Sequence, residues 1–218
     1  MLDIQDLSPI EAMDAAFAGH PAELVHHDGG SVPLAVHEWV QDATAVDHEL
    51  FIDACTGTTL DLGCGPGRLT AGLAARRVHA VGVDISAEAV RQTRVRGAAA
   101  VCRDVYASMF GMGMWDHAIL ADGNIGIGGD PVKLLSHARR LVHPGGSILV
   151  ELGPTGTGMT RHDVRLRIGE RMSGHFRWAY VGVDALPELT AATNLVTRDV
   201  ICSGGRSVAV LQRPAADR

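Results

Sequence analysis

Three alternate glycines, Gly63, Gly65 and Gly67, stand in the run Thr59-Leu60-Asp61-Leu62-Gly63-Cys64-Gly65-Pro66-Gly67-Arg68-Leu69-Thr70 of this 218-residue chain. The run begins as an apolar strand and ends in the first turn of a helix. Glycines at such a turn let the backbone approach a bulky polar ligand, because side chains there would block it. Cys64, between the first two glycines, is small enough to sit inside the loop. A dinucleotide-binding turn reads G-x-G-x-x-G. Here the third glycine comes one residue early, and Arg68 takes its place. Asp61 lies two residues before the first glycine. A second carboxylate, Asp84, lies 21 residues after Gly63, close to the spacing of about 20 at which an acidic residue meets ribose hydroxyls. A carboxylate suits a cis-diol because its two oxygens can accept both hydroxyl protons.

These residues need elements to hold them, and the pattern supplies them. Residues 58–62 read as a strand, 67–76 as a helix, 78–83 as a strand ending at Asp84, and 86–96 as a helix capped by Ser86. Strands near 98–102 and 116–121 follow. Asp130-Pro131 starts a helix with an apolar stripe of Leu134, Leu135, Ala138 and Leu141. Pro144-Gly145-Gly146 is expected to end that segment, and Ser147 to Leu152 to form the fifth strand. The alternation of strand and helix points to a parallel α/β sheet. Upstream, 8–18 reads as a helix with a Ser8/Glu11 capping box and Pro9 in its first turn, 31–40 as extended, and 44–54 as helical. Downstream, Asp163–Ile168 and His175–Val181 alternate with period two and predict a hairpin turning at 170–174. A helix near 184–193 and strands near 196–202 and 206–212 complete the chain.

The run Asp61 to Gly67 resembles motif I of the class I S-adenosylmethionine (SAM) dependent methyltransferases, D/E-x-G-x-G-x-G. The order of elements over 55–152 resembles that family's core, including its P-G-G turn before the fifth strand. The resemblance implies a three-layer α/β/α sandwich. Its sheet has seven mostly parallel strands with the last antiparallel, joined by an N-terminal helical cap and an inserted hairpin. It divides the chain into an acceptor-side segment, 1–54, and a SAM-binding domain, 55–218, with the insertion at about 161–181. It implies SAM as cofactor, held by Gly63, Cys64, Gly65 and Gly67, with Asp61 near the methionine ammonium. Asp84, with Ile85 beside it, takes the ribose. Asp104 takes the adenine amino group, and Val105 packs on the ring or offers its backbone N–H. Asp122 and Gly123, followed by Asn124, fall at the carboxyl end of the fourth strand, near the reactive methyl.

Methyl transfer from a sulfonium is an in-line displacement that releases S-adenosylhomocysteine, and positioning can supply much of its rate. A base is needed only where the acceptor begins protonated. Asp122 is a candidate by position and His175 by its place in the hairpin; His26, His27 and His37 lie in the N-terminal segment. Asp122-Gly123-Asn124 replaces the N/D-P-P-Y/F run of many methyltransferases of nucleic acids and proteins, which favours a small-molecule acceptor. The net charge of −6 and pI near 6.0 argue against nucleic-acid and anionic-membrane partners. Arg161, Arg165, Arg167, Arg171 and Arg177 read as a solvated hairpin face ahead of an anion site. Phe176, Trp178 and Tyr180 read as core or as pocket wall, and Trp39 as a lid residue. The competing readings are a non-methylating or regulatory SAM-binding protein and a nicotinamide-dependent oxidoreductase.

Cys55, Cys64, Cys102 and Cys202 make no C-x-x-C pair, so reduced thiols in a cytoplasmic protein are expected. No metal site is expected. Met1–Asp6 lacks a leader pattern, and no apolar run approaches a membrane span. Nothing in the sequence sets an oligomeric state.

Overall fold

The computed structural model describes residues 6–215; all but the last residue of the run that argues against a leader lie outside them. Helix α1 (Pro9–Phe17) is followed by β1 (Ala22–His26), β2 (Ser31–Pro33) and the short α2 (Val36–Trp39). Then come α3 (Ala45–Asp47), running into a π-helical turn at His48–Ile52, β3 (Thr59–Leu62), α4 (Arg68–Ala75), β4 (Ala80–Asp84), α5 (Ala87–Val95) and β5 (Ala99–Cys102). The chain continues through β6 (Trp115–Leu120), α6 (Pro131–Leu141), β7 (Val142–Leu152), β8 (Met159–Ile168), β9 (Arg171–Met172) and β10 (Phe176–Val181). It closes with α7 (Leu186–Thr193), β11 (Val196–Ser203) and β12 (Arg206–Gln212).

The main sheet has seven strands in the order β11-β12-β7-β6-β3-β4-β5. Strands β7 to β5 run parallel, and β12 is antiparallel to both of its neighbours. Side chains alternate across it into two cores, because successive strand residues point to opposite faces. Leu60, Leu62, Ala118, Leu120, Ile148 and Val150 pack with α6 and α7. Ile119 and Leu149 pack with α4 and the 48–52 turn on the other face. The expected α/β/α sandwich is therefore present, with each fully buried Leu or Ile contributing about 1.5–3 kcal/mol.

Two expectations are corrected. Pro144-Gly145-Gly146 does not end the helix; α6 stops at Leu141, and the three residues lie inside β7. Trp115 pairs with Val142 and His117 with Ser147, so β7 carries extra residues there, and Gly145 takes φ +93°. A bulge of this kind tolerates a proline that a regular ladder would reject. Second, the N-terminal segment is not only helical. Strands β1 and β2 join the inserted hairpin in a second sheet ordered β10-β8-β1-β2, with β9 on β8. Leu24 faces Leu166 across β1 and β8, and Val164 faces Phe176 across β8 and β10. With Ala12 of α1 these residues make a third, smaller core.

This second sheet is tied to the carboxyl ends of the main one. Trp178 bridges to Ile127, just after β6, and Gly182 bridges to Gly153, just after β7. On the other side α1, capped by the Ser8/Glu11 box, docks through Asp14, which accepts from Ser86 Oγ and from the Glu88 N–H at 3.2 Å. A carboxylate at that helix start also meets the positive end of α5.

Candidate active site

The space between the strand ends, α1 and the second sheet is a cleft of about 790 Å³. Of the residues expected to hold a cofactor, Asp61, Gly63, Cys64, Gly65, Asp84, Ile85, Asp104, Val105, Asp122 and Gly123 all line it. Gly67 does not. It has φ +88°, and an added Cβ would meet Thr93 Oγ1 and Cγ2 at 2.6 Å; its role is to start α4 tightly against α5. Gly65 differs. Its φ is +53°, and the nearest atoms to an added Cβ belong to Phe17 at 3.8 Å. The open side of Gly65 is where a ligand can come against the backbone. Trp39, expected as a lid, lines the cleft with its ring 6.3 Å from that of Phe17.

His175 is exposed and is not part of the cleft wall. It falls on the strand face opposite Phe176, Trp178 and Tyr180, so its expected role as a base has no support in the geometry. His27 and His37 are exposed as well.

The acidic groups differ in their surroundings. Asp84, buried at the end of β4, accepts the Gly65 N–H on Oδ2 and the Ser86 N–H on Oδ1, both at 2.8 Å. It thus fastens the glycine turn to the start of α5. Asp104 is exposed and accepts the Tyr106 N–H at 2.8 Å. Asp61 is 2% exposed and accepts Thr70 Oγ1 at 2.6 Å. Burial pushes the Asp61 carboxyl up to about 6, against the Thr70 bond that favours the anion. A carboxylate poised this way gains most from a cation brought beside it. Burial, with the charges of Asp61 and Asp84, also holds the Cys64 thiol well above its ordinary range, so it is a neutral thiol and no nucleophile.

The Asp61 shift has a consequence for stability. A carboxyl whose folded pKa lies above its unfolded value destabilises the fold as pH rises from about 4 through about 6. Asp61→Asn is therefore expected to stabilise the ligand-free protein at pH 7 by about 2–3 kcal/mol, with the gain vanishing below pH 4. Urea denaturation at both pH values tests it; no gain at pH 7 would refute the burial argument.

Asp122 stands on a strained backbone, φ +51°. Its two oxygens both accept from Arg68 Nη2, at 2.8 and 2.6 Å, and its N–H donates to Glu151 at 2.7 Å. Burial raises its carboxyl and the Arg68 charge opposes that. With its carboxylate engaged by Arg68, Asp122 anchors the loop, and the geometry does not favour it as a free base. Arg68 also donates to Asp47, which is fully buried, and Arg206 joins Asp47 at 2.8 Å, Glu151 at 2.8 Å and Asp122 at 3.3 Å. Asp47, Glu151 and Arg206 have no signature in the sequence, since their partners come from distant segments. Only the Thr44/Asp47 capping box, with Thr44 N–H on Asp47 at 2.9 Å, was there to be seen.

Two of the hairpin arginines are engaged on the far face of β8, while Arg161 and Arg171 are exposed. Arg165 donates to Ser173 O and Asp6, and Arg167 to Glu23. Arg177 lines the cleft but is 81% exposed and leans to Asp163 at 3.9 Å. Among the described residues, no three His, Cys, Asp or Glu side chains are placed to hold a metal ion, and no helix is long and apolar enough to cross a membrane.

No curated protein sequence matches the chain. Residues 59–146 match the family described as a methyltransferase domain. Solved structures share the fold at low identity. A SAM-dependent methyltransferase from Bacteroides fragilis in complex with S-adenosylhomocysteine aligns with TM-score 0.79 and 18% identity, over 98% of this chain and 100% of the other. The 1,6-didemethyltoxoflavin-N1-methyltransferase of Burkholderia thailandensis, with bound 1,6-didemethyltoxoflavin and S-adenosylhomocysteine, gives 0.62 and 16% over 98% of each chain. A sugar N-methyltransferase from Streptoalloteichus gives 0.53 and 16%, over 74% of this chain and 81% of the other. Residues 59–146 thus match a methyltransferase domain, and the seven-stranded sheet around them has the fold of the SAM-dependent methyltransferases of known structure.

Proposed function

We propose that this methyltransferase moves the methyl group of SAM to a small-molecule acceptor by in-line displacement, releasing S-adenosylhomocysteine. The second sheet carries the small-molecule reading. It roofs the cleft and leaves about 790 Å³, inside the range of roughly 300–1,000 Å³ of small-molecule sites. A nucleic acid or a folded protein would need that roof removed. The toxoflavin-precursor and sugar methyltransferases of the same fold also act on small molecules.

The residues present fit SAM. Gly65 leaves its cleft side open, and Asp61, Asp84, Asp104, Asp122 and Glu151 give the wall an acidic excess over Arg68 and Arg177. A donor with a sulfonium, an ammonium and one carboxylate is a net cation and suits that excess. When bound, SAM supplies an electrophilic methyl. In this reading Asp61 takes the ammonium, Asp84 with Ile85 the ribose, and Asp104 with Val105 the adenine. The Gly123 turn approaches the reacting end, while α1 and the second sheet exclude water. The segment before residue 55 and the hairpin form the acceptor side, and residues from 55 onward otherwise hold the donor. The proposed setting is the cytoplasm, where the four free thiols stay reduced.

Calorimetric titration with SAM, S-adenosylhomocysteine and NAD tests the donor. Binding of the first two and not the third is expected; binding of NAD alone would overturn the reading. Methyl-labelled SAM, offered with small-molecule and macromolecular cell fractions in parallel, tests the acceptor class. Label confined to protein or RNA would defeat the small-molecule reading.

A further inference from the structure

The acceptor half of the cleft holds a polar pair that nothing above uses. The Tyr180 hydroxyl, on β10, lies 3.1 Å from His26 Nε2, on β1, with the rings stacked 5.6 Å apart. His162 of β8 stands edge-on to both, at 5.3 and 5.4 Å, its Nε2 bonded to Thr160 Oγ1 at 3.0 Å. Tyr180 lines the cleft, and His26 lies behind it, partly open to solvent. The wall beside Tyr180 is apolar: Leu24, Leu166, Phe176 and Trp178. The cations on the wall are not available to an anionic acceptor. Arg68 is spent on Asp47 and Asp122, and Arg177 is in solvent.

Resting on the methyltransferase reading, we propose that the acceptor is an uncharged aromatic alcohol of the phenol class, and that Tyr180 takes its hydroxyl proton while passing its own to His26. Aromatic walls favour a flat apolar acceptor. A hydrogen-bonded Tyr–His pair in such a wall has work to do only where the nucleophile begins protonated. In the step, the phenol oxygen bonds to the methyl carbon as the carbon–sulfur bond breaks and its electrons stay on sulfur. The phenol proton goes to the Tyr180 oxygen, and the Tyr180 proton goes to His26 Nε2. The sulfonium charge lost is matched by the imidazolium gained, which then releases its proton to solvent. Burial raises the Tyr180 phenol above its ordinary range, so Tyr180 relays the proton and does not ionise first. Tyr180 is the catalytic residue here; His26 acts through it.

The test uses the full chain, methyl-labelled SAM and four phenols of rising acidity: 4-methoxyphenol, phenol, 4-chlorophenol and 4-cyanophenol. Tyr180→Phe is expected to lower kcat with the least acidic phenols by about 100-fold or more. KM and S-adenosylhomocysteine affinity should stay within about twofold. The loss should shrink towards 4-cyanophenol, which needs little help to ionise. His26→Gln should follow the same trend with a smaller loss, about tenfold. A loss equal across the series, or none in Tyr180→Phe, would overturn the relay. So would a wild-type chain that binds S-adenosylhomocysteine and methylates none of the four. Failure to bind S-adenosylhomocysteine at all would instead strike the methyltransferase reading.

Discussion

Asp84→Ala is expected to weaken SAM and S-adenosylhomocysteine binding by about 100-fold or more, since two hydrogen bonds to a charged acceptor contribute roughly 1.5–3 kcal/mol each. The carboxylate stands at the end of β4, beneath the one open glycine of the turn. Each oxygen already accepts one backbone N–H, from Gly65 or Ser86, and each keeps a lone pair for a ribose hydroxyl. Alanine removes both acceptors and frees the Gly65 turn to drift from α5. Calorimetry on the variant, with circular dichroism to show that it is folded, measures the effect. Asp84→Asn sharpens the test. An amide offers one oxygen, and its NH₂ would point at a backbone N–H, so one of the two anchoring bonds must be lost and affinity should fall between the two. A folded Asp84→Ala protein that binds S-adenosylhomocysteine as the native chain does would remove Asp84 from the site.

The position of Asp84, at the end of β4 in the cleft wall, was legible in the sequence because everything that defines it is local. Gly63 to Gly67, α4, β4 and Asp84 make one β-α-β unit, and its offsets are fixed by the lengths of a helix and a strand. The Ser8/Glu11 box and the Asp130-Pro131 start are local too, and both stand as expected. What escaped has partners far along the chain. Strand β1 is five residues long, too short for its alternation to stand out, and it becomes a strand because Leu166 and Val32 flank Leu24. The hairpin strands β8 and β10 show their alternation, but the joining of β1 and β2 to them, and with it the Tyr180–His26 contact, had no local signature. The alternation of 175–181 already set His175 and Tyr180 on opposite faces; which face meets the cleft depends on how the second sheet docks, and it is the one that carries Tyr180. Asp122 was well placed, but its engagement by Arg68 depends on a side chain 54 positions away.

Arg68→Met is expected to destabilise the fold by about 3–5 kcal/mol at pH 7, the cost of removing one partner from a buried ion cluster. Arg68 is 7% exposed, Asp47 is fully buried, and Arg206 alone would then face Asp47, Asp122 and Glu151. Three carboxylates against two guanidiniums become three against one. Burial by itself would raise the Asp47 carboxyl, but bonds from Arg68, the Thr44 N–H and Arg206 outweigh it and hold it well below the usual range. A depressed carboxyl of this kind stabilises the native chain above its unfolded pKa, near 4, and loses that contribution as pH falls. Without Arg68 much of the depression goes, so the native chain should lose more stability on acidification than the variant. Urea denaturation at pH 7 and pH 3 should therefore show a gap that narrows at the lower pH. A gap below about 1 kcal/mol at pH 7, the value of an exposed pair, would mean that solvent reaches the cluster. The same substitution leaves the Asp122 carboxylate with only Arg206, at 3.3 Å, while its backbone stays at positive φ, so the Gly123 turn loses its tether to α4. Methyl transfer should fall even where the folded fraction is restored by lowering the temperature. The cluster thus joins α3, α4, β7 and β12 beside the cleft where the proposed reaction needs donor and acceptor held in line, and removing one guanidinium tests stability and that proposed alignment together.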